Sequence, residues 1–69
     1  MLKTTRIKDY HILIECDSID EVIEYCLPRI RKVSQDYYKK EIKRDLNRQG
    51  FSWIDIHAGM RTVYDIKLI

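Results

Sequence analysis

The sequence predicts a single small α+β domain in which one bent helix or two consecutive helices cover one face of a three-stranded β-sheet. Three observations predict this β-α-α-β-β order. A strand-like run precedes a capped helix, a long helical stretch ends at a glycine, and the remaining residues alternate between apolar and polar side chains. With 69 residues, the chain has room for one domain, residues 1–69.

The first predicted strand comprises residues 10–16, which are rich in aromatic and β-branched side chains. Residues 1–8 precede it and carry interleaved charges, among them Lys3, Arg6 and Lys8. We expect these residues to form an exposed, frayed lead-in. The sheet is therefore expected to begin with the first predicted strand.

A helix is expected to begin after Ser18, because Ser18 and Glu21 have the spacing of a capping box. Apolar residues at helical spacing then form a core-facing stripe that comprises Ile19, Val22, Ile23, Cys26, Ile30, Val33 and Tyr37. Pro28 lies opposite this stripe, which favours a bend in a continuing helix. The restriction on the residue before a proline favours instead an end at Leu27.

A second apolar stripe comprises Tyr38, Ile42 and Leu46. In a continuous helix it would be rotated by about 140° from the first stripe, so one straight helix cannot bury both. The simplest interpretation is a break at which Ser34 caps a second helix that ends at Gly50. One bent helix and two separate helices both remain open.

The C-terminal part predicts a β-hairpin. Residues 51–58 and 62–69 alternate with period two and are joined by a short turn around Gly59. The core-facing set on this hairpin comprises Ile54, Ile56, Ala58, Tyr64, Ile66 and Leu68. A right-handed crossover before the hairpin most simply gives the sheet order 1-3-2, with the C-terminal strand central and antiparallel to both neighbours.

The other face of the predicted sheet is the first candidate functional surface, since helices on one side leave it exposed. Aromatic and apolar side chains among charged neighbours are typical of a protein interface. The candidate partner-binding residues are Leu13, Trp53, Asp55, His57, Val63 and Asp65, accompanied by His11, Glu15 and Lys67. The partner would be a larger protein or a second copy of the chain, and the alternative is a merely solvated face.

A basic helix face is the second candidate surface. Residues 28–48 contain eight basic and three acidic residues. The bases expected to face solvent on the second helix are Lys39, Lys40, Lys43, Arg44 and Arg48. Such a face can follow phosphates, which makes nucleic-acid binding the alternative function. A lysine-rich outer face also keeps small proteins soluble, and Glu41 and Asp45 partly neutralise this one.

One group of side chains on the predicted sheet face has residue types suited to chemistry. His11 and His57, with Glu15, Asp55 and Asp65, offer the imidazoles and carboxylates of a metal site or an acid–base pair. A small nuclease-like enzyme is therefore a second alternative. Histidines among the alternating residues of a strand are more often plain surface residues than metal ligands or catalytic groups. We therefore predict no catalytic residue, metal or cofactor.

Composition and cysteine usage bear on the compartment. With 45% apolar and 35% charged residues the chain is globular, and its longest apolar run, 12–14, is far from the roughly 20 residues of a membrane span. Residues 1–6 lead into no signal-peptide core. Cys16 and Cys26 lack zinc spacing and are expected to be buried thiols. We therefore expect a cytoplasmic protein without membrane association.

The stretch 42–69 passes from a helix to a hairpin through an Arg-Gln-Gly-Phe link. This passage distantly resembles that of the small HicA-type toxin ribonucleases, which have a double-stranded-RNA-binding-like fold. Those proteins carry a Gly-Ser-His segment entering the second strand, whereas this chain has His57, Ala58 and Gly59 at the turn and no helix after the hairpin. No catalytic residue is transferred from this resemblance.

The function that the sequence favours is that of a small non-enzymatic protein-binding module. A chain of this size has little scaffold for an enclosed active site once its core is built. A short sequence rich in Ile, Lys and Tyr without a motif is also typical of small phage-encoded accessory proteins and host inhibitors. We therefore expect a regulator or inhibitor that occupies a surface on a larger protein.

Overall fold

The computed structural model describes residues 1–58 and 60–69. Within these residues the chain forms a four-stranded mixed sheet and two α-helices, which confirms the predicted α+β class. In chain order the elements are β1 (Lys3–Lys8), β2 (His11–Cys16), α1 (Ile19–Cys26), α2 (Gln35–Gln49), β3 (Phe51–Ala58) and β4 (Met60–Leu68).

The prediction of three strands is wrong, because β1 is an additional edge strand where a frayed lead-in was expected. β1 pairs antiparallel with β2 after a tight turn at Asp9 and Tyr10. Its six residues are all exposed, so the strand is held by backbone pairing and not by burial of a face. The full order, β1-β2-β4-β3, therefore differs from the predicted one, although β4 does lie between β2 and β3.

The predicted strand directions are also wrong, since β4 is antiparallel to β3 but parallel to β2. Cys16 at the end of β2 lies opposite Leu68, and Phe51 at the start of β3 lies opposite Lys67. The helical connection therefore leaves and re-enters the sheet at the same end. A helical connection that crossed the sheet only once would bring the chain to the opposite end. The hairpin strands β3 and β4 would then run in the opposite directions, with β4 antiparallel to β2.

Two separate helices make this out-and-back path, so the predicted bend at Pro28 is wrong. α1 is followed by one turn of 3-10 helix, Leu27–Arg29, and then by Ile30 in an extended conformation with φ −106° and ψ 141°. Leu27, the residue before the proline, keeps helical dihedrals of φ −55° and ψ −46°, so the restriction before proline does not act here. The α-helical bonding ends because Pro28 has no N–H to donate to the preceding turn. Gln35 Nε2 donates to the carbonyl oxygens of Leu27 and Ile30 at 2.9 and 3.3 Å, which closes the turn.

The other predicted helix ends agree with the structure. Ser18 Oγ accepts a hydrogen bond from the Glu21 backbone N–H at 3.4 Å, as expected of an N-cap. α2 begins directly after Ser34, although the Ser34 side chain makes no capping bond within the described part of the chain. Gly50 ends α2 with a left-handed φ of 81°, and its N–H donates to the Leu46 carbonyl.

The core lies between the helices and one face of the sheet, the covered face. Its buried residues are Ile14, Cys16, Val22, Ile23, Cys26, Ile30, Ile42, Leu46, Ile54, Ile56, Tyr64 and Ile66. The alternation predicted for the hairpin is confirmed for the four of these that lie on β3 and β4, while the Ala58 side chain and the turn at Gly59 lie outside the described residues. Val33 and Tyr37 leave the predicted stripe and are 88% and 62% exposed, because the chain turns before them.

Both cysteines are free and buried, as predicted. Cys16 lies on β2 and Cys26 on the last turn of α1, and both are fully enclosed in the core. Burial raises the pKa of the Cys26 thiol to about 11, since the thiolate would lose its solvation there. This thiol is therefore protonated at neutral pH.

Candidate functional site

The second face of the sheet, the open face, carries the alternate residues that point away from the helices. Strand register arranges them in rows across the sheet: Thr5, Leu13, Asp65 and Trp53 in one, Lys3, Glu15, Lys67 and Phe51 in the next, and His11, Val63 and Asp55 on the other side. His57 follows on β3, opposite Arg61. All six candidate partner-binding residues thus lie on this one face.

Phe51 and Trp53 form the most exposed apolar part of the open face. They lie two residues apart on the same side of β3, and their side chains are 56% and 57% exposed. A groove of about 600 Å³ runs beside them, lined also by Leu13, Asp65 and Lys67. Phe51 was not among the predicted site residues, although the alternation that selects Trp53 selects Phe51 as well.

A second groove, of about 350 Å³, lies against Trp53 and is lined by Lys8, Tyr10, His11, Arg61 and Val63. Tyr10 is 54% exposed and has a left-handed φ of 65°, which is rare for a large side chain. Tyr10 was not among the predicted site residues, because no hairpin was expected at the start of the first predicted strand. Trp53 therefore stands between two grooves, and the smaller one is lined by charged side chains of both signs, Lys8, Asp9 and Arg61.

Two carboxylates of the open face, those of Asp55 and Asp65, are paired within it. His11 Nε2 donates to Asp65 Oδ2 at 2.6 Å. Arg61 binds Asp55 with two nitrogens, Nη2 to Oδ2 at 2.8 Å and Nε to Oδ1 at 3.0 Å, and His57 Nε2 lies 3.3 Å from Asp55 Oδ1. The hydrogen bonds from Arg61 lower the pKa of the Asp55 carboxyl and raise that of the guanidinium.

The two histidines considered for chemistry are not brought together. His11 lies on β2 and His57 on β3, with β4 between them, so about two strand spacings, roughly 10 Å, separate their backbones. Within residues 1–58 and 60–69, the one group of possible metal ligands comprises Cys16, Asp17 and Glu21 at the start of α1. Its buried thiol already donates to the Glu21 carboxylate at 3.4 Å.

The five basic residues of the second candidate surface are all exposed on α2, but they differ in their neighbours. Arg44 pairs with Glu41 at 2.8 Å, and Lys43 borders a cleft that also contains Asp17 and Asp20. The residues that form no ion pair with the described part of the chain are Lys39, Lys40, Lys43 and Arg48. Nucleic-acid binding through α2 stays a prediction.

Comparisons with known proteins add no function to this geometry. No protein-family model, curated protein or solved structure matches the chain. Among the described residues, no helix combines the length and apolar character needed to cross a membrane. The fold and the open face are therefore interpreted from the residues themselves.

Proposed function

We propose that this protein is a small protein-binding module that occupies a surface on a larger protein through the open face of its sheet. The observation that carries the proposal is the pair of half-exposed aromatic side chains, Phe51 and Trp53, beside an apolar groove. Both belong to a strand whose alternate residues are buried in the core, so the aromatic rings are held on a rigid support. By occupying a surface on its larger partner, the protein would act as a regulator or inhibitor.

The apolar area is sufficient to anchor a partner. Large aromatic side chains bury about 150–250 Å² each, so covering the exposed halves of Phe51 and Trp53 removes roughly 200 Å² of apolar surface. That corresponds to about 5 kcal/mol before the cost of association. A few residues with contributions of this size dominate most protein interfaces.

The charged residues around the aromatic pair can form the rim of an interface. A partner can cover them without a large desolvation penalty. Asp55 and Asp65 are already bound by Arg61 and His11. Covering a paired carboxylate costs less than covering an isolated one, which would keep its full desolvation penalty. A partner can therefore pack over these residues, and their fixed positions would give it orientation.

The proposal is tested by affinity capture from the cells that produce the protein, with three immobilised baits. The wild-type chain is compared with Trp53→Lys on the open face and with Lys40→Glu on α2. We expect the same protein to be retained by the wild type and by Lys40→Glu and lost with Trp53→Lys. Circular dichroism of each bait checks that the fold is intact.

The purified partner is then titrated into the free protein while its fluorescence is followed. Trp53 is the sole tryptophan of the chain, so indole emission, after subtraction of the spectrum of the partner alone, reports on the open face. Docking of a protein on this face should shift the emission to shorter wavelength, because the indole leaves water. Retention that depends on Lys40 and not on Trp53, or binding without an emission shift, would place the interface elsewhere.

A second copy of the chain is a possible partner and is distinguished by the same probe. The emission wavelength and the solution mass are measured over a range of protein concentrations. A shift that accompanies an increase in mass identifies self-association through the open face, and a mass that no longer increases with concentration in Trp53→Lys confirms the surface. A constant mass leaves the larger protein partner as the occupant.

A further inference from the structure

The two edges of the sheet expose different backbone groups, which the register identifies. The Val63 N–H donates to the Tyr10 carbonyl at 2.7 Å, so the even-numbered residues of β2 direct their backbone groups to β4 and the odd-numbered ones to β1. Pairing of β1 with those odd-numbered residues leaves the N–H and C=O groups of Thr4 and Arg6 pointing away from the sheet.

The β3 edge is partly occupied by side chains of the helical layer. Its outward-pointing carbonyls include those of Phe51 and Asp55, since Leu68 N–H pairs with the preceding Gly50 carbonyl. Gln49 Nε2 donates to the Phe51 carbonyl at 3.1 Å, and Tyr38 Oη donates to the Asp55 carbonyl at 3.0 Å. A further strand that paired along β3 would compete with these two bonds at the carbonyls of Phe51 and Asp55.

The β1 edge has no such closure. Within the described residues, no side chain donates to or accepts from the outward groups of Thr4 and Arg6. The strand carries Lys3, Arg6 and Lys8 and no acidic residue, and none of the three cations forms an ion pair with the described part of the chain. Lys3 and Lys8 lie on the open face and Arg6 on the opposite one.

We propose that the free edge of β1 binds an extended, acidic segment of a partner protein as a fifth strand. Backbone hydrogen bonds to Thr4 and Arg6 would supply the pairing, and carboxylates on both sides of the added strand would meet the three cations. This interaction concerns the edge of the sheet and does not depend on the apolar contacts of Phe51 and Trp53. Strand addition of this kind obtains affinity from the main chain and selectivity from side chains.

The charges of β1 exclude a second copy as the occupant. Two β1 strands that paired with one another would place three cations against three cations, and like charges on neighbouring strands are destabilising. Positive charge on an edge strand thus prevents self-association. Pairing with a strand of opposite charge stays favourable. The repulsion between like charges therefore makes the edge selective for an acidic strand.

The same cations attract nucleic-acid phosphates, but the backbone of the edge discriminates against them. Each outward-pointing residue offers one N–H donor and one C=O acceptor, and an extended peptide matches both. A phosphate group accepts hydrogen bonds and donates none, so it leaves the carbonyls of Thr4 and Arg6 unpaired. An acidic peptide is therefore the better complement.

The inference is tested with a fluorescently labelled heptapeptide of alternating Glu and Thr, whose anisotropy is measured during titration with the protein. The matched probes are an alternating Lys and Thr peptide, a single-stranded oligonucleotide, and the acidic peptide methylated on alternate backbone nitrogens. We expect binding of the acidic peptide only, and a loss of roughly tenfold or more on N-methylation, because two or more backbone hydrogen bonds are removed. Equal binding of the methylated peptide, or tighter binding of the oligonucleotide, would overturn the proposal.

Protein variants locate the interaction. Thr4→Pro removes an outward N–H without breaking the ladder to β2 and should weaken the acidic peptide by roughly fivefold. Lys3→Glu with Lys8→Glu should abolish binding, whereas Lys40→Glu with Lys43→Glu, an equal change of charge on α2, should preserve it. Thermal unfolding verifies that each variant folds, and loss of binding in the α2 control would show attraction by net charge alone.

Trp53→Ala separates this inference from the proposed function. The substitution should remove capture of the larger partner through the open face and leave acidic-peptide binding at β1 unchanged. If peptide binding is lost as well, the peptide lies in the apolar groove and the edge proposal is wrong. If capture persists while peptide binding is intact, the open-face proposal fails and the edge proposal stands.

Discussion

The two faces of the sheet are built from alternate residues of the same strands, yet they differ in almost every property. The covered face contributes aliphatic residues such as Ile14, Ile54 and Ile66, which are at most 4% exposed. The open face presents half-exposed Phe51 and Trp53 among paired charges. The comparison indicates that stability resides in one set of residues and recognition in the other, so that each can be changed separately.

The largest expected effect is that of truncating the covered face. Ile66 on the central strand β4 is 1% exposed, and Ile66→Ala should lower the free energy of unfolding by about 2–5 kcal/mol, because it removes buried methyl groups and leaves a cavity. Urea unfolding followed by circular dichroism measures the change. The neighbouring Lys67→Ala, on the open face, should change it by no more than about 0.5 kcal/mol.

These two variants test the comparison directly. Since Ile66 and Lys67 are adjacent in sequence and differ in the face they occupy, a similar loss for both would show that the open face contributes to stability as well. In that case an element or a second copy covers it in solution, and the concentration dependence of unfolding would identify the latter.

An intermediate effect is expected at the residue that sets the register of β3. Gly50 has a φ of 81°, and a Cβ placed there would meet no atom within 4 Å, so Gly50→Ala should cost only the backbone penalty of about 1–2 kcal/mol. Thermal unfolding measures this cost. A loss as large as that of Ile66→Ala would mean that α2 continues and rotates β3, which exchanges the residues on its two faces.

A smaller effect, of opposite sign, is expected for the strained residue of the open face. Tyr10 has a φ of 65°, and Asn adopts this region more readily, so Tyr10→Asn should stabilise the protein by up to about 1 kcal/mol. Tyr10→Ala, which removes the ring but does not favour a positive φ, is the control. If Asn gives no gain, ring contacts in the smaller groove outweigh the backbone strain.

The smallest effect is the pH dependence of the Asp55 and Arg61 pair. Because Arg61 lowers the pKa of the Asp55 carboxyl in the folded state, the pair stabilises the protein above the ordinary carboxyl pKa of about 4 and loses this contribution as the pH falls through the lowered value. Arg61→Gln should therefore be less stable than the wild type at neutral pH, and the difference should shrink in acid.

Thermal unfolding of both proteins across the acid range measures this dependence. The pair is exposed, so the difference should be modest and should decrease in high salt. Asp55→Asn serves as the control, because it removes the titrating group and should show the same loss of pH dependence as Arg61→Gln. A difference that stays constant down to low pH would contradict the assignment.

Local patterns were sufficient for much of the fold and for part of the candidate site. The cap at Ser18, the left-handed Gly50 and the alternation that buries Ile54 and Ile66 each depend on neighbouring residues, and each was correctly predicted. The same alternation placed Trp53 on the open face. Phe51 was overlooked, although its position in that pattern was accessible from the sequence alone.

Other features depend on partners that are distant in the chain. β1 has no apolar alternation, since all its residues are exposed, and only backbone pairing with β2 makes it a strand. Tyr10 and Lys8 reach the open face through that hairpin and were therefore missed. The end of α1 before Pro28 was wrongly predicted as a bend, because bending and termination of a helix have similar sequence signals.

The sequence by itself determined which side chains are apolar, how they alternate, and where α1 begins and α2 ends, because these properties follow from the dihedral preferences and periodicity of adjacent residues. The tertiary structure alone decided that the helical connection returns to the same end of the sheet and thereby makes β2 and β4 parallel. It also decided that Tyr38 and Gln49 bond to carbonyls at one edge while the other edge carries no such bond within the described residues. These outcomes require packing between residues far apart in the chain, whose energies no local pattern contains.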